Sequence, residues 1–103
     1  MPTISLTETF RIACAHPALP GHFPGRAVVP GVVLLDRVAA ALERQTGARI
    51  AAMPQVKFLR PLLPEQEARL TLEPNGESIR FHITHAGETV ASGVAVPAPD
   101  ARA

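Results

Sequence analysis

The residues of this chain best suited to chemistry are His22, Asp36 and the backbone at Pro30-Gly31-Val32. His22 lies between Gly21 and Phe23, in a loop whose glycines let backbone approach a ligand closely, and imidazole is the commonest general base. Asp36 is a carboxylate in an otherwise apolar run, with Val32-Val33-Leu34-Leu35 before it and Val38 to Leu42 after it. Burial there would disfavour its ionised form and leave a neutral acid able to donate a proton. A helix starting at Pro30 or Gly31 would present N–H groups without intrahelical partners, which polarise a carbonyl or hold an anion. A base, an acid and a dipole together suit removal of a proton next to a carbonyl. Each part also has a plainer reading: a lone loop histidine is more often structural or solvated, Asp36 could pair with Arg37 or Arg26 at the helix margin, and every helix has an N-terminus.

The elements that must position these groups follow from patterning. Pro17, Pro20, Pro24 and Pro30, with Gly21 and Gly25, forbid regular structure before the helix and suit a tightly turned loop. Proline is preorganised for the first helical position and Gly47 for a left-handed cap, so the spacing predicts a helix from Pro30 or Gly31 to near Gly47. Its first turns carry so little polar surface that it must be covered on several sides. At about 24 Å it is too short, and too interrupted by Asp36 and Arg37, to span a bilayer.

Before the loop, Ile4, Leu6, Phe10 and Ile12 alternate with polar residues from Thr3 to Ile12, with Glu8 the exception, which predicts a half-buried strand. After the helix, Gln55 to Phe58, Ala68 to Glu73 and Ile79 to Thr84 alternate as three further strands. Pro74-Asn75-Gly76 supplies a tight hairpin turn. A short connection through Ala86-Gly87-Glu88 leads to a fifth strand, Thr89 to Val96, with Val90, Val94 and Val96 on one parity and Ala91, Gly93 and Ala95 on the other. Valines favour burial, yet small residues can also lie against a helix, so its inward face stays open. Closely spaced strands pair antiparallel, and their apolar face needs a cover. The expected architecture is α+β: a curved antiparallel sheet wrapped around one long central helix. It would form a single domain over residues 1–97, with 98–103 a flexible tail.

Composition narrows the partners. A chain of 103 residues can bury roughly 60–68% of its unfolded surface in one core. A net charge of +1 gives no global field, and with four Phe and neither Trp nor Tyr a base-stacking surface cannot be built, which excludes nucleic acid as the expected partner. Cys14 is the sole cysteine, and nothing at the N-terminus reads as a signal segment, so a cytoplasmic location is expected. His16 suits a turn, His82 faces outward by parity and His85 ends a strand. No metal-ligand spacing is present among the histidines, Cys14 and the carboxylates.

Gly21-His22-Phe23-Pro24-Gly25, then Pro30-Gly31, then Asp36 fourteen positions after His22, resembles the active-site signature of the β-hydroxyacyl-acyl carrier protein dehydratases, which have the hotdog fold. The run from Val56 to Pro64 also resembles that family's second-strand segment. The resemblance implies that His22 removes the C2 proton of a 3-hydroxyacyl thioester, that Asp36 protonates the departing hydroxyl and that Gly31 N–H binds the thioester carbonyl. It places Phe23, Pro24, Gly25, Pro30, Val32 and Val33 along the substrate, requires no cofactor or metal, and makes acyl carrier protein the partner. In the family, histidine and acid come from different subunits, so a homodimer with shared sites is implied, with helices side by side and sheets joined at their edges. Lys57, Arg60, Arg26 and Arg37 could then meet an acidic carrier. Acyl length would depend on how Val33, Leu34, Val56 and Phe58 pack across the dimer. Asp36 stands where many members carry Glu, and Ala40 replaces a glutamine one turn beyond the acid. Thioester hydrolysis, or service as a non-catalytic acyl-binding partner subunit, are the alternatives.

Overall fold

The structure is a computed structural model that describes residues 6–13 and 28–98. Expectations that fall on Thr3 to Ser5, Cys14, His16, His22, Phe23, Pro24, Gly25, Arg26 and the tail 99–103 lie outside the described residues. Five strands and one helix follow in the order β1 (Leu6–Phe10), α1 (Gly31–Thr46), β2 (Ile50–Phe58), β3 (Ala68–Asn75), β4 (Ser78–His85) and β5 (Glu88–Pro97). They form one antiparallel sheet in the order β1-β3-β4-β5-β2, so the strands flanking the helix in sequence are its two edges. This is the hotdog arrangement.

The centre of the sheet is a meander closed by two short turns. β3 and β4 meet at Asn75 and Ser78, where Gly76 supplies the positive φ (67°) that a two-residue hairpin demands. β4 and β5 meet at His85 and Glu88, and there Ala86 (51°) and Gly87 (81°) both take the left-handed conformation. Leu70, Leu72, Phe81 and Ile83 point from these strands into the core.

The open question of β5 is resolved by its register. Phe58, Val56 and Phe81 sit opposite Ala91 or Gly93 on the helix-facing side, so the small residues lie inward and make room for neighbouring rings, while Val90, at the shift in register beside Thr89, is buried as well. A Cβ on Gly93 would fall 2.7 Å from Phe81 Cζ and against the Gln55 carbonyl oxygen. Glu8 breaks the alternation of β1 for an equally local reason: Arg44, in the last turn of α1, bonds its carboxylate at 2.8 Å. β2 runs longer than its alternation predicts. Ala51 to Pro54 has no period because the strand is an irregular edge, with register shifts on both sides of Ala52, and proline is tolerated at such an edge.

α1 starts after Pro30 and is closed by Gly47, whose N–H donates to Glu43 O at 2.9 Å and whose φ is 75°. Val33, Leu34, Val38, Ala41 and Leu42 form its buried stripe. Coverage on several sides is not what a single chain provides. The sheet covers one side only, and Val32 (63% exposed), Asp36 and Ala40 face outward.

Candidate active site

A turn after β2 fixes the chain on both sides of the segment that holds His22. Ile12 O accepts the Glu65 N–H at 2.8 Å, while Leu62 O accepts the Val29 N–H at the same distance. Arg11 adds a bond from Nη1 to Glu65 O (3.0 Å). The turn is stiffened by Leu63 N–H donating to Gln66 Oε1 (2.9 Å), with Glu65 at a positive φ of 68° after Pro64. Residues 62–65 thus set where the chain leaves β1 and where it returns to start α1.

At that return, Pro30 precedes the helix without a side-chain cap, and its carbonyl accepts the Val33 N–H at 3.0 Å. Among the described residues, Gly31 N–H and Val32 N–H have no backbone acceptor. Gly31 borders a cleft of about 360 Å³ whose walls include Val28, Leu34, Phe58, Arg60 and Leu62. Phe58 closes on Gly31: its Cζ lies 2.7 Å, and its Cε1 2.9 Å, from where a Cβ on that residue would sit. A side chain at this position would therefore have to displace the Phe58 ring, and the glycine leaves the ring its seat.

Asp36 borders a second cleft, of about 380 Å³, with Ala13, Val33, Arg37 and Ala40. Its carboxylate is exposed in the single chain, so the burial expected for it is absent there, because only the opposite stripe of α1 meets the sheet. Arg37 does not pair with it, since the guanidinium lies over the Phe10 ring, 5.1 Å from the centroid. Arg11 is likewise engaged, with Glu67 at 3.6 Å in addition to the Glu65 carbonyl.

Of the predicted site residues, Pro30, Gly31, Val32, Val33 and Asp36 fall on the first two turns of α1 and its entry, whereas His22, Phe23, Pro24 and Gly25 lie outside the described residues. Ala13 borders the Asp36 cleft and Val28 the Gly31 cleft, so the undescribed span begins at one and ends at the other. Of the candidate carrier-binding cations, the described ones, Lys57, Arg60 and Arg37, are not brought together within one chain. Arg60 flanks the Gly31 cleft and bonds Glu88 at 2.8 Å, Arg37 flanks the Asp36 cleft, and Lys57 faces a groove on the outer side of the sheet with His82 and Arg80. His82 is exposed and bonds Thr89 Oγ1 (2.8 Å), while His85 Nδ1 meets Glu67 O (2.8 Å). Sequence patterning misses the seat of Phe58 on Gly31. The parity shared by Val56 and Phe58 gives the face of that ring, but no periodicity gives its partner.

Curated 3-hydroxyacyl-[acyl-carrier-protein] dehydratases FabZ are similar to the chain: that of Thermus thermophilus is 37% identical over 76 residues, 64% of this chain and 51% of the relative. That of Haemophilus influenzae is 32% identical over 72 residues, 60% of this chain and 49% of the relative. The chain spans about half the length of the curated relatives it matches. Among solved structures, the dehydratase heterocomplex ApeI:P from Xenorhabdus doucetiae superposes with a TM-score of 0.82 at 20% identity, over 92% of this chain and 88% of that one, a likeness of fold. Residues 3–94 match the ApeI-like family, described as the ApeI dehydratase, and the chain therefore belongs to the ApeI-like dehydratases.

Proposed function

We propose that this protein dehydrates 3-hydroxyacyl thioesters borne on acyl carrier protein to trans-2-enoyl thioesters. The observation that carries the reading is the first two turns of α1, where the N–H of Gly31, which has no backbone acceptor among the described residues, and the carboxylate of Asp36 stand about 7.5 Å apart along the axis, each at a cleft. The thioester carbonyl oxygen accepts the Gly31 N–H. His22 takes the C2 proton, and the electron pair moves toward the carbonyl as an enolate that the helix N-terminus stabilises. The C3–O bond then breaks as protonated Asp36 gives its proton to the hydroxyl. Water departs, C2 and C3 become doubly bonded, and proton return from imidazolium to carboxylate through solvent resets the site.

Two copies of the chain are part of this reading, with the histidine of one meeting Asp36 of the other. The exposed helix face and the outer edge of β2, unpaired among the described residues, support it, since a second copy would cover Asp36 and expel water from it. A cytoplasmic setting belongs to the same reading.

The test is a panel of 3-hydroxyacyl carrier proteins of different chain length, followed by mass loss of one water. His22→Ala and Asp36→Asn should each cost about 100-fold or more in rate while the protein stays folded. Full activity in either variant overturns the assignment, and free thiol release without enoyl formation would make the protein a thioesterase. A second reading draws on Ala40, which offers Asp36 no polar support in its cleft. On it the chain works with a different hotdog subunit, as the ApeI:P heterocomplex does by its name. Activity that appears only on adding such a subunit would favour that reading.

A further inference from the structure

We propose that Phe58 is a specificity-determining residue that excludes substituents on the carbon next to the thioester carbonyl. The inference rests on the dehydratase reading above and names the part of the acyl group that its site inspects. The tip of the Phe58 ring fills the space over Gly31, with Cζ, Cε1 and Cε2 at 2.7, 2.9 and 3.2 Å from the position of an added Cβ. Bond geometry then puts that tip within about 5 Å of the Gly31 nitrogen. An oxygen held by the same N–H at about 2.9 Å puts the carbonyl carbon about 4 Å from the nitrogen, and C2 one bond further. The ring tip and a C2 held there thus lie at comparable distances from one nitrogen, at the same cleft, so that a substituent on C2 directed toward Phe58 meets the ring.

Several of the other walls cannot yield that volume: Leu34 and Leu62 are buried in the core, Val29 is bonded to Leu62 O, and the backbone at Gly31 belongs to the helix. Leu59, Arg60 and Pro61 also line the cleft and are exposed, but it is the ring of Phe58, the last residue of β2 and 52% exposed, that stands against Gly31. Its size can be changed by substitution without opening the core. An unbranched acyl group presents two hydrogens at C2 and fits beside the ring, whereas a 2-methyl group meets it.

The experiment compares 3-hydroxybutyryl and 2-methyl-3-hydroxybutyryl groups, the latter as all stereoisomers, on the same acyl carrier protein. The wild type should favour the unbranched substrate by about 10- to 200-fold in kcat/KM, the range one methyl group commands in a tight apolar site. Phe58→Ala should bring the two substrates within about threefold, chiefly by raising turnover of the branched one. Phe58→Leu, which keeps apolar bulk but lacks the ring tip, should move the ratio the same way, and it decides the matter if the alanine variant melts at assay temperature. A structural role alone would lower both substrates together and leave the ratio unchanged. That outcome overturns the inference, as does a wild type that accepts both substrates equally. If the wild type dehydrates neither, the branched and unbranched pair is compared at the acyl length best turned over in the panel above; if no member of that panel is dehydrated, alone or with a second subunit, it is the functional reading itself that falls.

Discussion

A carboxylate set in an apolar helix must be reached by water or by a partner, and in a single copy of this chain Asp36 is reached by water. The neighbouring cations look elsewhere, Arg37 to the Phe10 ring and Arg11 to Glu65 and Glu67, so the acid keeps a free approach from its cleft. Adjacent residues on a helix point about 100° apart, which is why adjacency in sequence misleads about the pairing of Asp36 with Arg37. The types and spacing of His22, Gly31 and Asp36 suggest the proposed chemistry before any coordinates, and of the three Gly31 and Asp36 fall on the first two turns of α1 while His22 lies outside the described residues. The contact of Phe58 with Gly31 is not legible, because a close approach between positions so far apart leaves no periodic trace. Gly93 is a second such approach and offers a direct check. Gly93→Ala should destabilise the protein by about 1–3 kcal/mol through overpacking against Phe81 and the β2 backbone, lowering the thermal midpoint by about 4–8 °C per kcal/mol. An unchanged melting curve would mean that the strands separate there at no cost.

At the scale of elements, residues with a single task are the readable ones. β3 and β4 alternate cleanly because one face meets the helix and the other meets solvent, and Pro30 and Gly47 mark the helix ends by the conformations they favour. β5 is ambiguous in sequence because its inward residues were reduced in size to fit Phe58 and Phe81, and the first half of β2 is hidden because an irregular edge has no period. Glu8 reads as an error in β1 until Arg44 is placed beside it. That pair ties the first strand to the last turn of the helix, where a cation also suits the dipole. Because Arg44 is half exposed, Arg44→Ala should cost about 1 kcal/mol or less at low ionic strength. The difference from wild type should vanish in about 1 M salt, as thermal melts in both buffers would record. A persistent difference at high salt would assign the effect to packing of the arginine stem instead.

The whole molecule measures 49 × 28 × 20 Å, the proportions of a single sheet layer with one helix laid on it. Among the described residues such a body leaves one face of the helix and the two sheet edges, β1 and β2, without cover, and the helix face and the β2 edge carry apolar residues: Val32 at 63% exposure on α1, and Phe58 and Leu59 at 52% and 59% at the end of β2. Patches of this kind on a small chain mark association. The protein should therefore sediment at twice the protomer mass. Val32→Glu, which would bury a charge in that contact, should shift it to the monomer and remove dehydration along with the dimer. A monomeric wild type with full activity would contradict both the pairing of copies and the shared site.

The two tight turns at Gly76 and at Ala86-Gly87 have a consequence for how the chain folds. β3, β4 and β5 can zip together through contacts between near neighbours in sequence, with little loop entropy to overcome. β1 and β2 must instead find their places across some sixty and forty intervening residues, so the edges join a meander that already exists. Phe58 arrives with the second of those edges. The ring proposed to meet the substrate is then among the last side chains to be seated, and the specificity proposed for it would be completed only when folding itself is complete.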